Sequence, residues 1–152
     1  MSHGIMFHHF HDNDEHLRAQ GSLGSDDFNR MIDYLKSKYT ILDSKIFLQR
    51  YLNKELSDND ICLTFDDALL CQYDIALPIL QERNISAFFF VYSSIFSDNP
   101  NLLEVYRLFR TSSFKNVDEF YNEFFIVVKD RISNKYNSAK ENYKVTNYLP
   151  NY

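Results

Sequence analysis

The sequence predicts an α/β protein built on a parallel sheet, and three observations carry that reading. Apolar, strand-like runs alternate with helical patterns along the chain. The run Ile61-Cys62-Leu63-Thr64-Phe65 is apolar on both faces apart from Thr64, as a strand covered on both sides of a parallel sheet must be. A helical stretch then leads to a second apolar run, Ile85 to Val91, which completes a βαβ unit of about 30 residues with parallel neighbouring strands. At 152 residues and 45% hydrophobic composition, the chain can bury a core and is not a solvated, disordered polymer.

The elements follow in order. Ile5 to Phe10 reads as a short strand, closed by the turn-rich Asp12-Asn13-Asp14-Glu15 and Gly21-Ser22-Leu23-Gly24. Ser25 is positioned to cap a helix to about Tyr39. Asp26 and Asp27 sit at its positive end, and Phe28, Met31, Ile32 and Leu35 recur at helical spacing. After a brief Thr40-Ile41-Leu42 element, Asp43 or Ser44 can cap a second helix that carries Ile46, Phe47, Tyr51 and Leu52 on one side. Beyond the Ile61–Phe65 strand, a helix from about Leu69 to Arg83 shows Leu70, Tyr73, Leu77 and Leu80 as its stripe, with Pro78 set to kink or divide it. The remainder is helical: Asn101 to Phe109, then a helix to about Tyr136 with Phe120, Phe124, Val127, Val128 and Ile132 on one face. Asn116 and Glu119 stand there at capping-box spacing.

Several function classes drop out. A net charge of −5 with scattered basic residues leaves no footprint for a phosphate backbone, so nucleic acid is not an expected partner. The longest apolar run, Ala87 to Tyr92, is far shorter than the roughly 20 residues of a membrane span. The start lacks a basic stretch ahead of an apolar one, which reads as cytoplasmic. Cys62 and Cys71 have no CxxC spacing and read as two buried thiols.

Chemistry concentrates at Asp66-Asp67. Two adjacent carboxylates at the carboxyl end of a buried parallel strand lie where open sheets and barrels place their active sites. Neighbouring carboxylates repel when both are ionised, so a cation or a proton-transfer role makes use of such a pair. One could bind a divalent metal while the other serves as a base. Alternatively, the pair simply ends the strand and caps the next helix. A phosphoryl-transfer pocket is a third reading, yet Phe65-Asp66-Asp67-Ala68 lacks the Asp-x-Asp spacing of haloacid-dehalogenase-like phosphatases. The later Lys-bearing strand of a receiver domain is not found after Val91 either.

Ile61-Cys62-Leu63-Thr64-Phe65-Asp66-Asp67-Ala68 resembles the first motif of the NodB-homology polysaccharide deacetylases, TFDDG after a hydrophobic strand. Ile85 to Val91 is similar to that family's next strand, and Met6-Phe7-His8-His9-Phe10 resembles its first barrel strand; together these cover roughly residues 5 to 95. The resemblance implies a partial (β/α) barrel, read here as one incomplete domain over 1–152 that stops after about the first half. It implies hydrolysis of an N- or O-acetyl group on a sugar or polysaccharide. Asp66 would be the general base and Asp67 a ligand to a divalent metal, with Zn2+ the usual ion. Two departures matter. Ala68 replaces the family's Gly, where a positive φ would be disfavoured. All five histidines lie at or before His16, so the family's pair of metal-binding histidines after the first motif has no counterpart, and the chain is expected to be inactive alone.

The cluster His8, His9, His11, Asp12 and His16 could bind a metal in its own right, although on a strand His8 and His11 point to opposite faces. In an intact barrel one of His8 and His11 would instead line the substrate pocket beside Asp66. The eleven Tyr and fourteen Phe mostly fall at core spacing and argue packing before carbohydrate stacking. An incomplete sheet would leave an open edge, from which self-association is expected. A non-catalytic carbohydrate- or protein-binding remnant of the same fold is the competing functional reading.

Overall fold

A computed structural model describes residues 3–19, 21–98 and 102–145. The chain forms two compact units, residues 1–102 and 103–152.

The first unit holds the sheet. Strand β1 (His3–Phe7) pairs in parallel with β3 (Asp60–Phe65) along its whole length, from His3 opposite Ile61 to Phe7 opposite Phe65. The other side of β3 is shared by β2 (Thr40–Ile41) at its start and β4 (Phe88–Phe89) at its end, both parallel. The expected α/β class with a parallel sheet therefore stands, and β3 is its central strand. Only Thr64 of β3 is not fully buried, as its two-sided apolar pattern requires. Gly4 lets β1 approach closely, since a Cβ there would lie 3.1 Å from Thr64 Cγ2.

Helix α1 (Ser25–Lys38) buries Phe28, Ile32 and Leu35 against the sheet. Four rings form the centre of the core. Phe28 meets Phe7 and Phe10 edge-on at 5.1 and 5.0 Å, and Phe65 stacks on Phe7 at 5.5 Å. Such edge-to-face and offset pairs suit the ring quadrupole. Ile61, Leu63, Ile79 and Leu80 extend this core.

The structure corrects several sequence expectations. The first strand ends at Phe7 and not Phe10, because residues 8–11 leave the sheet and only Phe10 returns, in a bridge to Leu23. Ser25 is the first helical residue of α1, and Gly24 occupies the cap with no side-chain bond. Helix α2 (Ser44–Asn53) is capped by Asp43, whose Oδ1 accepts from the Lys45 N–H at 2.9 Å. It buries none of its residues, however, and Tyr51 and Leu52 lie open to solvent.

The stretch expected as one helix from Leu69 to Arg83 is a π-helical turn (Gln72–Ala76) running into α3 (Leu77–Glu82), with Pro78 in the first turn of α3. A proline has no N–H to donate and crowds the carbonyl one turn back, and the wider π turn relieves this. The buried stripe is consequently Cys71, Gln72, Ile75, Ala76, Ile79 and Leu80, while Leu70 and Tyr73, expected inside, are exposed. Strand β4 keeps only Phe88 and Phe89 of the run from Ile85 to Val91.

The second unit contains α4 (Leu103–Ser113), displaced toward the C-terminus relative to the expected Asn101 to Phe109, and α5 (Val117–Val145), which begins at the expected cap and runs past Tyr136. The capping signal at α5 is genuine: Asn116 Oδ1 accepts from the Glu119 N–H at 2.9 Å. Glu119 Oε2 reaches back to the Lys115 N–H at 2.7 Å. Phe114 joins the two helices edge-on to Phe109 and Phe120. Phe124 and Val127, expected on a buried face, are exposed, and the Ile132 side chain lies outside the described residues. Among the described residues no helix is long and apolar enough to cross a membrane.

Candidate active site

The carboxyl end of β3 is where the backbone turns sharply. The Asp66 N–H still donates to the Phe7 carbonyl at 3.2 Å, so the end of β3 stays laced to the end of β1. On its other side the Phe65 carbonyl accepts from the Phe90 N–H at 2.7 Å, and the Phe65 ring stacks on Phe89 at 4.7 Å. Asp67 and Ala68 then adopt φ of +74° and +51°. Asp tolerates this left-handed region, but Ala is strained there by its Cβ. The position where the resembled motif has Gly is thus one where positive φ is used.

This turn brings Asp67 to the loop after β1. His8 Nε2 lies 3.8 Å from Asp67 Oδ2, and both side chains are partly exposed. His11 is elsewhere, with its Nδ1 2.9 Å from the Ser22 hydroxyl and its Nε2 against Gly24. His8 and His11 therefore do not form one metal site; neither lies on a strand, and the loop sends them to separate partners.

Sequence reasoning missed Gln72. Its carboxamide nitrogen donates to the His8 carbonyl at 2.8 Å and to the Asp66 carbonyl at 2.5 Å, from a side chain that is 1% exposed. No signal in a lone polar residue on a helical stretch marks it as inward-facing; the π turn does that. Also missed was a second ligand-type group, Glu15, His16 and Asp74. His16 Nε2 is 2.8 Å from Asp74 Oδ2. Beside it, Asp12 caps the loop by accepting from the His16 and Asp14 N–H groups, which hold its carboxyl below the usual range.

The aspartate edge fits part of a metal site. A catalytic zinc takes three protein ligands and a water. Asp67 and His8 bring one carboxylate and one imidazole together, whereas the group of three ligand-type side chains that converges within 4.8 Å among the described residues, Glu15, His16 and Asp74, includes neither Asp66 nor Asp67.

The acid pair lies in a strained turn at the carboxyl end of the central parallel strand, the end at which open α/β sheets and barrels place their active sites. Residues 53–108, which span this turn, match the family model of polysaccharide deacetylases. Over these residues the chain is similar to the polysaccharide deacetylases. Its fold is similar to that of a de-N-acetylase from Aggregatibacter actinomycetemcomitans, at 21% identity and a TM-score of 0.51, over 61% of this chain and 38% of that one. It is equally similar to IcaB from Ammonifex degensii, at 23% identity and a TM-score of 0.52, over 61% and 39%. The chain therefore spans less than two fifths of the length of either structure. No curated protein sequence matches it.

Proposed function

We propose that these 152 residues supply the aspartate-bearing edge of a metal-dependent deacetylase that removes N- or O-acetyl groups from a sugar or polysaccharide, in surface polysaccharide metabolism. The observation that carries this reading is the placement of Asp66 and Asp67 together at the end of β3, in a turn that sets Asp67 beside His8. Asp66 acts as the general base, accepting a proton from the attacking water. Asp67 is a ligand to a divalent cation, Zn2+ in the resembled family. When bound, such an ion polarises the acetyl carbonyl and makes its water more acidic. His8 stands where it can contact the substrate at the same mouth; His11, engaged by Ser22, is the weaker candidate for that role.

Because Asp67 alone falls short of the three protein ligands of a catalytic zinc, these residues by themselves do not deacetylate. Activity requires further ligands, histidines in the resembled family.

Acetate release from an acetylated glucosamine oligomer in the presence of Zn2+ tests this. The chain by itself should release none. A protein in which these residues continue into a segment bearing the histidine ligands should release acetate, and Asp66→Asn should lower its rate by a factor of at least about 100. Release that is indifferent to Asp66→Asn would sink the proposal, and oligomer binding without any release from the longer protein would favour a non-catalytic carbohydrate-binding role.

A further inference from the structure

We infer that Gln72 is the positioning residue of the aspartate pair: one buried carboxamide ties the loop after β1 to the loop after β3 and so sets Asp67 against His8.

Three observations converge on it. The two hydrogens of Nε2 go to two different loops, one to the His8 carbonyl and one to the Asp66 carbonyl. An amide is the side chain that can do this, since it offers two donors in a fixed fork about 120° apart. The second observation is the expense of placing an amide there. Gln72 is 1% exposed on a stretch whose other buried residues, Cys71, Ile75 and Ala76, belong to the apolar core, and its Oε1 is buried without a hydrogen-bond partner. An apolar side chain would avoid that orphaned acceptor but could not serve the two loop carbonyls, so what the glutamine adds at this place is the tie between the loops. Third, Gln72 opens the π turn that rotates the buried stripe. The wider turn brings the amide inward, to the Asp66 carbonyl that immediately precedes two consecutive residues with positive φ, Asp67 and Ala68. Such strained residues persist where the surroundings over-determine them, and π turns recur at functional sites.

The consequence is mechanical. Without the clamp, the Asp66 carbonyl is free to rotate, Asp67 and Ala68 can relax toward negative φ, and the Asp67 carboxylate leaves His8. Describing the clamped residues as a catalytic edge rests on the deacetylase reading; the clamp itself does not, and it is tested without turnover.

The unaltered chain is examined first, by NMR couplings transmitted through hydrogen bonds from the Gln72 side-chain nitrogen to the carbonyl carbons of His8 and Asp66. Both couplings are expected; absence of both overturns the clamp. Gln72→Met, of similar length and without donors, should speed amide exchange at Asp66, Asp67 and Ala68 by about tenfold or more and shift their φ-sensitive couplings, while Leu63 in the core keeps its protection. Unchanged loop couplings and exchange in a folded Gln72→Met would overturn the proposal. Should that variant unfold, Gln72→Glu decides. An ionised carboxylate donates nothing, whereas the protonated acid donates one O–H, so the loop signature should return on acidification. No such return, with Leu63 protected at both pH values, would overturn it. These outcomes are independent of acetate release: a protein that continues into the histidine-bearing segment, shows both couplings and releases no acetate keeps the clamp and loses the deacetylase reading.

Discussion

His8 Nε2 lies 3.8 Å from Asp67 Oδ2, joining the loop after the first strand to the turn after the third. The two side chains are 34% and 25% exposed, so solvent screens the pair. In a double-mutant cycle of His8→Ala and Asp67→Asn, urea unfolding should give a coupling of no more than about 0.5 kcal/mol. A coupling well above that would make the pair a structural tie instead of a site.

Ala68 sits at φ +51°, which costs a residue with a Cβ about 1–2 kcal/mol. Glycine removes that strain but gives the unfolded chain more freedom. Ala68→Gly should therefore stabilise the first unit by about 0.5–1 kcal/mol in denaturant unfolding. Destabilisation would show that the Ala68 methyl group has packing contacts that outweigh its strain.

Phe65 is fully buried and its ring touches Phe7, Phe10, Phe28 and Phe89. Phe65→Ala should cost about 3–5 kcal/mol and leave the first unit largely unfolded, as read by near-ultraviolet circular dichroism. Tyr51→Ala, on the solvent side of α2, should change stability by less than about 0.5 kcal/mol.

Acid should weaken the first unit through Asp60. Its buried carboxylate accepts from the Ser57 N–H at 3.0 Å and from Arg50 at 3.1 Å, and these hold it below its ordinary value of 3.8. A depressed folded value means that the stabilisation is complete well above pH 3.8 and is lost as pH falls through the folded value. Asp43 has the same sign, held down first by the Ser86 hydroxyl and then by the Lys45 N–H. The melting temperature should fall between pH 5 and pH 3, and less steeply in Asp60→Asn.

Strand β1 pairs with β3 alone among the described strands, which leaves it with an unpaired edge, and α2 presents an uncovered apolar side. We expect the isolated chain to self-associate. Light scattering over a range of concentrations should show mass rising with concentration; a monodisperse monomer at high concentration would contradict this.

Much of this protein follows from local pattern. The two-sided apolar run of β3, the parallel βαβ unit, the helical spacing of Phe28, Ile32 and Leu35, and the caps at Asp43 and Asn116 are each set by neighbours within a turn or a strand. The aspartate pair was legible for the same reason, because a charge at the end of a buried strand stands out against its surroundings. What only the tertiary structure decided involves partners distant in sequence. The inward turn of Gln72 depends on a π register that a 3.6-residue period does not describe. Which histidine meets Asp67 depends on the path of a loop held by the Phe10–Leu23 bridge and the Ser22 hydroxyl. Periodicity reports which face of an element is apolar; it carries no information on which loop carbonyl a buried amide will reach across the sheet edge.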